Sequence, residues 1–186
     1  MKNYITIVIL LISIFAGCSE QLNVNQPENV KDYSNLKLIT LPSPSGMSIE
    51  TLHTEELLID GQTGGTFIAN FTYQSSVGTV SMQSTLVLPP NSFNGTINFT
   101  QTFNTETASI SFGPSIVFNE PVSYSLTISG IDLNGVNLNT LDFVIIDANN
   151  YISQVEYDSL SIDTTTGTLE VMNAQRNHLS RYAFVN

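Results

Sequence analysis

Polar and apolar residues alternate with a period of two along most of the chain after Gly61. The clearest segment, VSYSLTIS, places Val122, Tyr124, Leu126 and Ile128 on one side and serine or threonine on the other. Such alternation is typical of a β-strand with one face in a protein core and the other in water. The same pattern predicts strands in the segments TFIANFTY, VSMQSTLVL, TINFTQTF and ASISF.

Further segments complete a predicted all-β fold. LDFVIID is apolar on both faces, which indicates a central or doubly covered strand. Residues 57–59 are predicted as a strand rather than a helical turn, and no long window shows the stripe of an amphipathic helix. More strands are predicted in the segments YISQVEYDSLSID, GTLEVMN and RYAFV.

Glycine, proline and asparagine divide these segments at regular intervals. Many short strands with regular turn signals predict a single antiparallel β-sandwich of about eight strands, in two sheets of roughly four strands each. Proline cannot donate a hydrogen bond within a sheet. We therefore expect Pro89-Pro90 to end the strand that begins at Val80, and Pro121 to be the first residue of a later strand.

The first residues, MKNYITIVILLISIFAGCSE, have the pattern of an export signal. Lys2 supplies a positive charge, residues 5–15 form an apolar run, and Ala16-Gly17 are small residues of the kind found before a cleavage point. The apolar run is shorter than the roughly 20 residues of a membrane-spanning helix. A cleaved signal peptide is the simplest interpretation, and a short retained anchor helix is the alternative.

Phe15-Ala16-Gly17-Cys18 resembles the bacterial lipobox, although Phe15 stands where leucine is usual. The resemblance implies that residues 1–17 are a lipoprotein signal peptide and that Cys18 is acylated, for example with palmitate. Cys18 is the only cysteine, so no disulfide can form within the chain. Each buried CH₂ contributes about 0.8 kcal/mol, and more than one acyl chain anchors a protein firmly. Ser19 fits sorting to an outer membrane, with the protein periplasmic or exposed at the surface.

Residues 18–54 are predicted to be a tether, and residues 55–186 the folded domain. The tether contains Pro27, Pro42 and Pro44 and shows no sustained period, which favours an extended chain. Within it, residues 36–41 have the composition of a possible edge strand.

The chain is strongly acidic, with 16 Asp and Glu residues against five Lys and Arg residues and a net charge of −11. Cleavage after Gly17 would remove one cation, Lys2, and no acid. So few cations argue against a nucleic-acid partner, because phosphate binding needs Lys and Arg. They also argue against electrostatic docking on anionic lipid. Acyl chains on Cys18 are therefore the predicted link to the membrane.

Several short motifs follow one another along residues 61–186. They are Gly64, Gly65, Leu88-Pro89-Pro90, Gly113-Pro114, Phe118, Pro121-Val122, His178, Ser180, Tyr182 and Ala183. Their order resembles that of the ZU5 domain and its bacterial ZU5-like relatives, although Asn91-Ser92 and Leu179 depart from the Gly-Ala and Phe that are usual in the family. The resemblance implies an all-β sandwich that serves mainly as an interaction or scaffolding module.

The triplet His178-Leu179-Ser180 is a candidate reactive site. Some animal ZU5 proteins cut themselves at His-Phe-Ser, and the resemblance implies that Ser180 would attack the Leu179 carbonyl while His178 assists proton transfer. The alternative is that the triplet only leads into the closing strand. Leu179 replaces the usual Phe, and a cut would release only SRYAFVN, so the sequence favours the second interpretation.

Other motifs do not single out a chemistry. The sequence contains no G-x-S-x-G, H-E-x-x-H or P-loop pattern, and two distant histidines with one cysteine make zinc improbable. Residues 132–137 and 147–150 resemble calcium loops loosely, but Asp and Asn are also typical of turns. Arg176 and Arg181 are candidates for an anion site, although pairing with acidic side chains is the expected use.

The sequence therefore predicts a lipid-anchored cell-envelope protein whose sandwich is a non-catalytic binding or scaffolding module for an unidentified protein or glycan. Two alternatives stay open: self-cleavage between Leu179 and Ser180, and a carbohydrate-binding accessory role. We expect no metal and no cofactor.

Overall fold

The computed structural model describes residue 33, residues 35–46 and residues 51–186. These residues form eleven β-strands and no helix, which confirms the predicted all-β class. The strands are β1 (Leu52–Asp60), β2 (Gly65–Ser75), β3 (Gly78–Leu88), β4 (Thr96–Asn104), β5 (Ser109–Gly113), β6 (Val117–Ser129), β7 (Asp142–Ile146), β8 (Ile152–Gln154), β9 (Ser159–Asp163), β10 (Thr168–His178) and β11 (Arg181–Val185).

The strands form two antiparallel sheets that pack as a sandwich. One sheet has six strands in the order β1-β4-β5-β11-β7-β8, and the other has five in the order β2-β3-β6-β10-β9. The predicted count of about eight was too low. One reason is that YISQVEYDSLSID contains two short strands, β8 and β9, which lie in different sheets.

The alternating segments bury the predicted faces. In β6, Val122, Tyr124, Leu126 and Ile128 are all at most 2% exposed, and the residues between them are half-buried. By contrast β7 is buried at every position, as its two-sided apolar pattern indicates. The inward side chains of both sheets belong to one continuous core.

Aromatic rings join the two sheets near the middle of this core. Tyr124 on β6 lies 4.9 Å from Phe112 and 5.7 Å from Tyr182, measured between ring centroids. Phe143 on β7 continues the group at 5.9 Å from Tyr182. Such pairs contribute about 0.5–1.5 kcal/mol each beyond the burial of their area. The contacts tie one strand of the five-stranded sheet to three strands of the six-stranded sheet.

The two prolines that were expected to mark strand boundaries behave differently. β3 ends at Leu88, directly before Pro89-Pro90, as predicted. Pro121 was wrongly predicted as a first residue, because β6 already begins at Val117. Pairing of β6 with β3 begins only at Ser123, and the register between β6 and β10 shifts in this region. Pro121 therefore sits in an irregular part of the ladder, where a missing N–H group is tolerated.

The glycine at the turn between β1 and β2 is required by its surroundings. Gly64 has φ +69°, and a Cβ atom added there would lie 2.4 Å from the carbonyl oxygen of Leu88. The turn is closed by Asp60, whose side chain accepts hydrogen bonds from the backbone N–H groups of Gln62 and Thr63. Only glycine fits this close crossing from one sheet to the other.

Residues 35–46, which we call the strap, pack on the sandwich although the sequence placed them in the tether. Lys37 and Asn186 exchange two backbone hydrogen bonds of 2.9 and 3.0 Å. Ile39 donates to the carbonyl of Phe184 at 3.1 Å, and both Ile39 and Leu41 are buried. The expected edge pairing of residues 36–41 is thus formed at the end of β11.

The strap also explains why β7 and β11 are apolar on their outer faces. Val144, Ile146, Ala183 and Val185 form a second small core on the outer side of the six-stranded sheet. Leu36, Leu38, Tyr33 and Ile152 pack against it. Without this cover the four side chains would face water, so the strap completes the fold of the sheet.

The strand register divides the loops between two ends of the sandwich. The strap end contains residues 76–77, 105–108, 130–141 and 164–167, together with the strap. The far end contains residues 61–64, 89–95, 114–116, 147–151 and 179–180. The strap therefore lies at one end of the sandwich, and His178-Leu179-Ser180 lies at the other.

We predict that Ile39→Ala lowers the free energy of unfolding by about 2–5 kcal/mol, because it deletes a buried side chain. The matched control is Thr40→Ala, which changes an exposed neighbour and should alter stability by no more than about 0.5 kcal/mol. Urea denaturation of both variants measures the difference. Equal effects would show that the strap does not contribute to the core.

Alkaline pH tests the contact that Tyr33, which precedes the strap, makes with the sandwich. The hydroxyls of Tyr33 and Tyr157 donate to the buried Asp142 carboxylate at 3.1 and 2.8 Å. Burial, followed by the charge of Asp142, raises the pKa of Tyr33 to about 12 from 10.0. As the pH rises, the Tyr33 hydroxyl therefore loses its proton in the unfolded chain before it does so in the folded protein. The contribution of this hydroxyl to the free energy of unfolding is fully present below pH 10 and decreases as the pH rises towards 12.

We expect Tyr33→Phe to make the melting temperature fall less steeply across this alkaline range than it does in the unsubstituted protein. Tyr151→Phe, which removes an exposed hydroxyl, is the control and should leave the slope unchanged. Thermal unfolding followed by circular dichroism measures the slope. Identical slopes for all three proteins would contradict the role of the contact between Tyr33 and Asp142.

Candidate binding site

The triplet His178-Leu179-Ser180 forms the crossing between the two sheets at the far end. His178 is the last residue of β10, and Arg181 is the first of β11. Leu179 turns inward and is only 2% exposed. A connection of two residues can reach the opposite sheet here because an apolar side chain fills the gap between them.

Each residue of this crossing is held by a neighbouring strand. The Ser180 hydroxyl donates to the carbonyl of Ile146 at 2.8 Å, and the Ser180 carbonyl accepts from the Phe112 backbone N–H at 3.1 Å. The Tyr182 hydroxyl donates to the carbonyl of His178 at 3.2 Å. Ser180 therefore fastens the start of β11 to its neighbours on both sides.

The two residues predicted to act together have separate partners. Nδ1 of His178 lies 3.3 Å from Oδ1 of Asn177. The hydroxyl of Ser180 is directed at Ile146, and within the described residues no hydrogen bond joins it to the His178 ring. The structure thus places both residues at the crossing but does not connect them as nucleophile and base.

The two candidate arginines are also used differently from the expectation of acidic partners. Arg181 donates through Nη2 to the side-chain oxygen of Asn150 at 3.0 Å. Nε of Arg176 is buried and has no hydrogen-bond partner in the described part of the chain. The one contact within 4 Å between a basic and an acidic side chain among the described residues joins His53 to Glu55, with 3.5 Å between Nε2 and Oε1.

Arg176 lies in a groove at the far end that sequence reasoning did not find. The groove has a volume of about 350 Å³. Its walls come from three segments that are distant in the sequence. The lining residues are Pro121, Gln154, Glu156, Gln175, Arg176 and Asn177.

The groove exists because β10 is longer than its neighbour β9. β9 pairs only with residues 168–172 of β10, and a bulge follows at Asn173, which has φ +54°. Beyond the bulge, a single bridge between Glu156 and Gln175 holds the chain after β8 against β10, with N–H···O 2.8 Å. The last residues of β10 therefore keep an open side.

His53 and the two loops considered for calcium have structural partners. His53, predicted in the tether, is part of β1 and stacks on Phe71 with ring centroids 4.2 Å apart. Oδ1 of Asp132 accepts from the backbone and side-chain N–H groups of Asn134. Oδ1 of Asp147 accepts from the backbone N–H groups of residues 149 and 151 at 2.8 Å. Both carboxylates close turns.

The predicted lipidation site, Cys18, and the predicted signal peptide, residues 1–17, lie outside the described residues. In the described part of the chain, no helix has the length and apolar character needed to cross a membrane.

We predict that Ser180→Ala lowers the free energy of unfolding by about 0.5–1.5 kcal/mol, because it removes the hydrogen bond to Ile146. The intact mass should stay that of the uncut chain before and after the substitution. The control is Ser129→Ala, at a half-buried serine on the outer face of β6, which should change stability less. Loss of the SRYAFVN segment from the unsubstituted protein but not from the variant would establish self-cleavage instead.

Comparison with known proteins does not assign the chain to a family. No protein-family model, no curated protein and no solved structure matches it. The resemblance to the ZU5 domain therefore rests on the order of the motifs in the sequence.

Proposed function

We propose that this protein is a lipid-anchored, non-catalytic binding module of the cell envelope, built on a ZU5-like sandwich. The observation that carries the proposal is an open groove on a two-sheet scaffold, with walls from three segments that are distant in the sequence. An acyl anchor on Cys18 would hold this scaffold at a bilayer.

The surface of the domain suits a position in water next to a bilayer. The outer face of the five-stranded sheet carries mostly uncharged polar side chains. These side chains are hydrated by water and carry no positive charge that would attract the sheet to anionic lipid. On β3 and β6 the outward polar side chains are Ser81, Gln83, Thr85, Ser123, Ser125, Thr127 and Ser129, and Val87 is an exposed apolar side chain on the same face. Since the chain holds only five Lys and Arg residues, the acyl chains would supply the attachment.

A binding role agrees better with the far end than a catalytic one does. The hydroxyl of Ser180 is bonded to a backbone carbonyl, and His178 is directed at Asn177. General base catalysis requires the base to lie within hydrogen-bond reach of the proton that it removes. Loops on a rigid sheet scaffold are well suited to holding a partner instead.

We predict that Cys18→Ser abolishes incorporation of labelled palmitate and moves the protein from the membrane fraction to the soluble fraction of a bacterial host. The reason is that the substitution removes the only thiol that can be acylated. Ser19→Ala keeps Cys18 and should still be labelled and membrane-bound. Failure of the unsubstituted protein to take up label would contradict the proposed anchor.

A further inference from the structure

We propose that the groove around Arg176 binds a small zwitterion of the α-amino-acid type, with the carboxylate held by Arg176 and the ammonium group by Glu156. This inference rests on the proposed binding function and specifies the ligand class of the same site.

The first support comes from the state of Arg176. Its Nε is buried without an acceptor among the described residues, although the chain contains 16 acidic residues. A buried donor that has lost water and gained no partner is unfavourable. The planar guanidinium matches a carboxylate with two parallel hydrogen bonds, so Arg176 in the wall of the groove offers a carboxylate a fitting partner.

The second support is the acidic residue in the same groove. Glu156 is exposed, and its backbone carbonyl accepts from the Gln175 N–H at 2.8 Å, which fixes its position beside β10. Arg176 and Glu156 line one groove without forming an ion pair. Positive and negative groups that stay apart in one site match a ligand that carries both charges.

The remaining walls fit the neutral part of such a ligand. Gln154, Gln175 and Asn177 each carry a carboxamide, which both donates and accepts hydrogen bonds. Pro121 adds an apolar surface beside them. The volume of about 350 Å³ lies at the lower end of the range for small-molecule sites, which is roughly 300–1,000 Å³.

Long-range electrostatics favour a zwitterion over an anion. The net charge of −11 repels anions from the whole molecule, and Glu156 opposes a simple carboxylate inside the groove. A cation would be attracted by the domain but would meet Arg176. A zwitterion has no net charge and makes a favourable contact with each of the two residues.

The test uses the full chain, isotopically labelled and purified in detergent micelles, and nuclear magnetic resonance titrations. The probes are glycine and glycylglycine, which are zwitterions with different charge separations. Acetate, methylamine and glucose supply the carboxylate, the ammonium and a neutral polyol separately. We expect one zwitterion to shift the amide signals of residues 154–156 and 175–177 in a saturable way, at least about tenfold more tightly than acetate or methylamine.

Matched variants locate the interaction. Arg176→Gln and Glu156→Gln should each weaken binding of the zwitterion by about tenfold or more, since each removes one charged contact worth about one decade in affinity. Arg181→Gln lies outside the groove and should leave the affinity unchanged. Thermal unfolding of all three variants checks that they are folded, so that a loss of binding is assigned to the groove.

The outcomes separate this inference from the proposed function. Acetate binding as tightly as both zwitterions, or no saturable shift with either zwitterion, would overturn the ligand class. Saturable shifts with glucose alone would also overturn it while leaving a non-catalytic binding module in place. Failure of the unsubstituted protein to incorporate labelled palmitate would overturn the anchor and leave the titration result unaffected.

Discussion

Burial of β11 on both of its faces is the constraint on which the six-stranded sheet depends. β11 pairs with β5 on one side and with β7 on the other. Its inner face places Tyr182 and Phe184 in the main core, and its outer face places Ala183 and Val185 under the strap. A central strand that is apolar on both faces is stable only when both faces are covered, so the strap belongs to the folded domain.

The same strand determines the geometry of the far end. β11 begins where the crossing ends, and the Tyr182 hydroxyl reaches back to the carbonyl of His178. β10 therefore has to finish close to β11, and its last residues lie beyond the end of its pairing with β9. Arg176 occupies this extension. The groove thus follows from two strands of unequal length and from a crossing of only two residues between β10 and β11.

Much of the fold could be predicted from the sequence, because apolar and polar residues alternate wherever one face of a strand is buried and the other faces water. β3 and β6 follow this rule along most of their length. The sequence did not predict that the strap contributes to the core. Its prolines and irregular pattern are typical of a tether, and its burial depends on residues of β11 that are distant in the sequence. β8 and β9 were merged for a similar reason: a strand of three residues carries almost no periodic signal.

In the candidate site, too, the sequence indicated individual residues but not the tertiary contacts that they make. The resemblance to the ZU5 domain singled out His178 and Ser180, but their partners, Asn177 and Ile146, are not part of that motif. Arg176 was visible as a cation in an acidic chain. The missing acceptor for its Nε could not be predicted, because it depends on how distant segments meet around the side chain.

The edge strand β2 and the open part of β10 are protected from pairing with another chain in different ways. An uncovered strand invites pairing with another chain, and folded proteins usually block it. On the edge strand β2, the Asn70 N–H donates to Glu55 and the Gln74 carbonyl accepts from Ser45. Beyond Asn173, the open side of β10 has the Glu156 bridge and a groove with one positive and one negative side chain. Charged side chains beside an open strand discourage pairing with a second chain, yet they leave room for a small polar ligand, which is the use proposed for this part of the molecule.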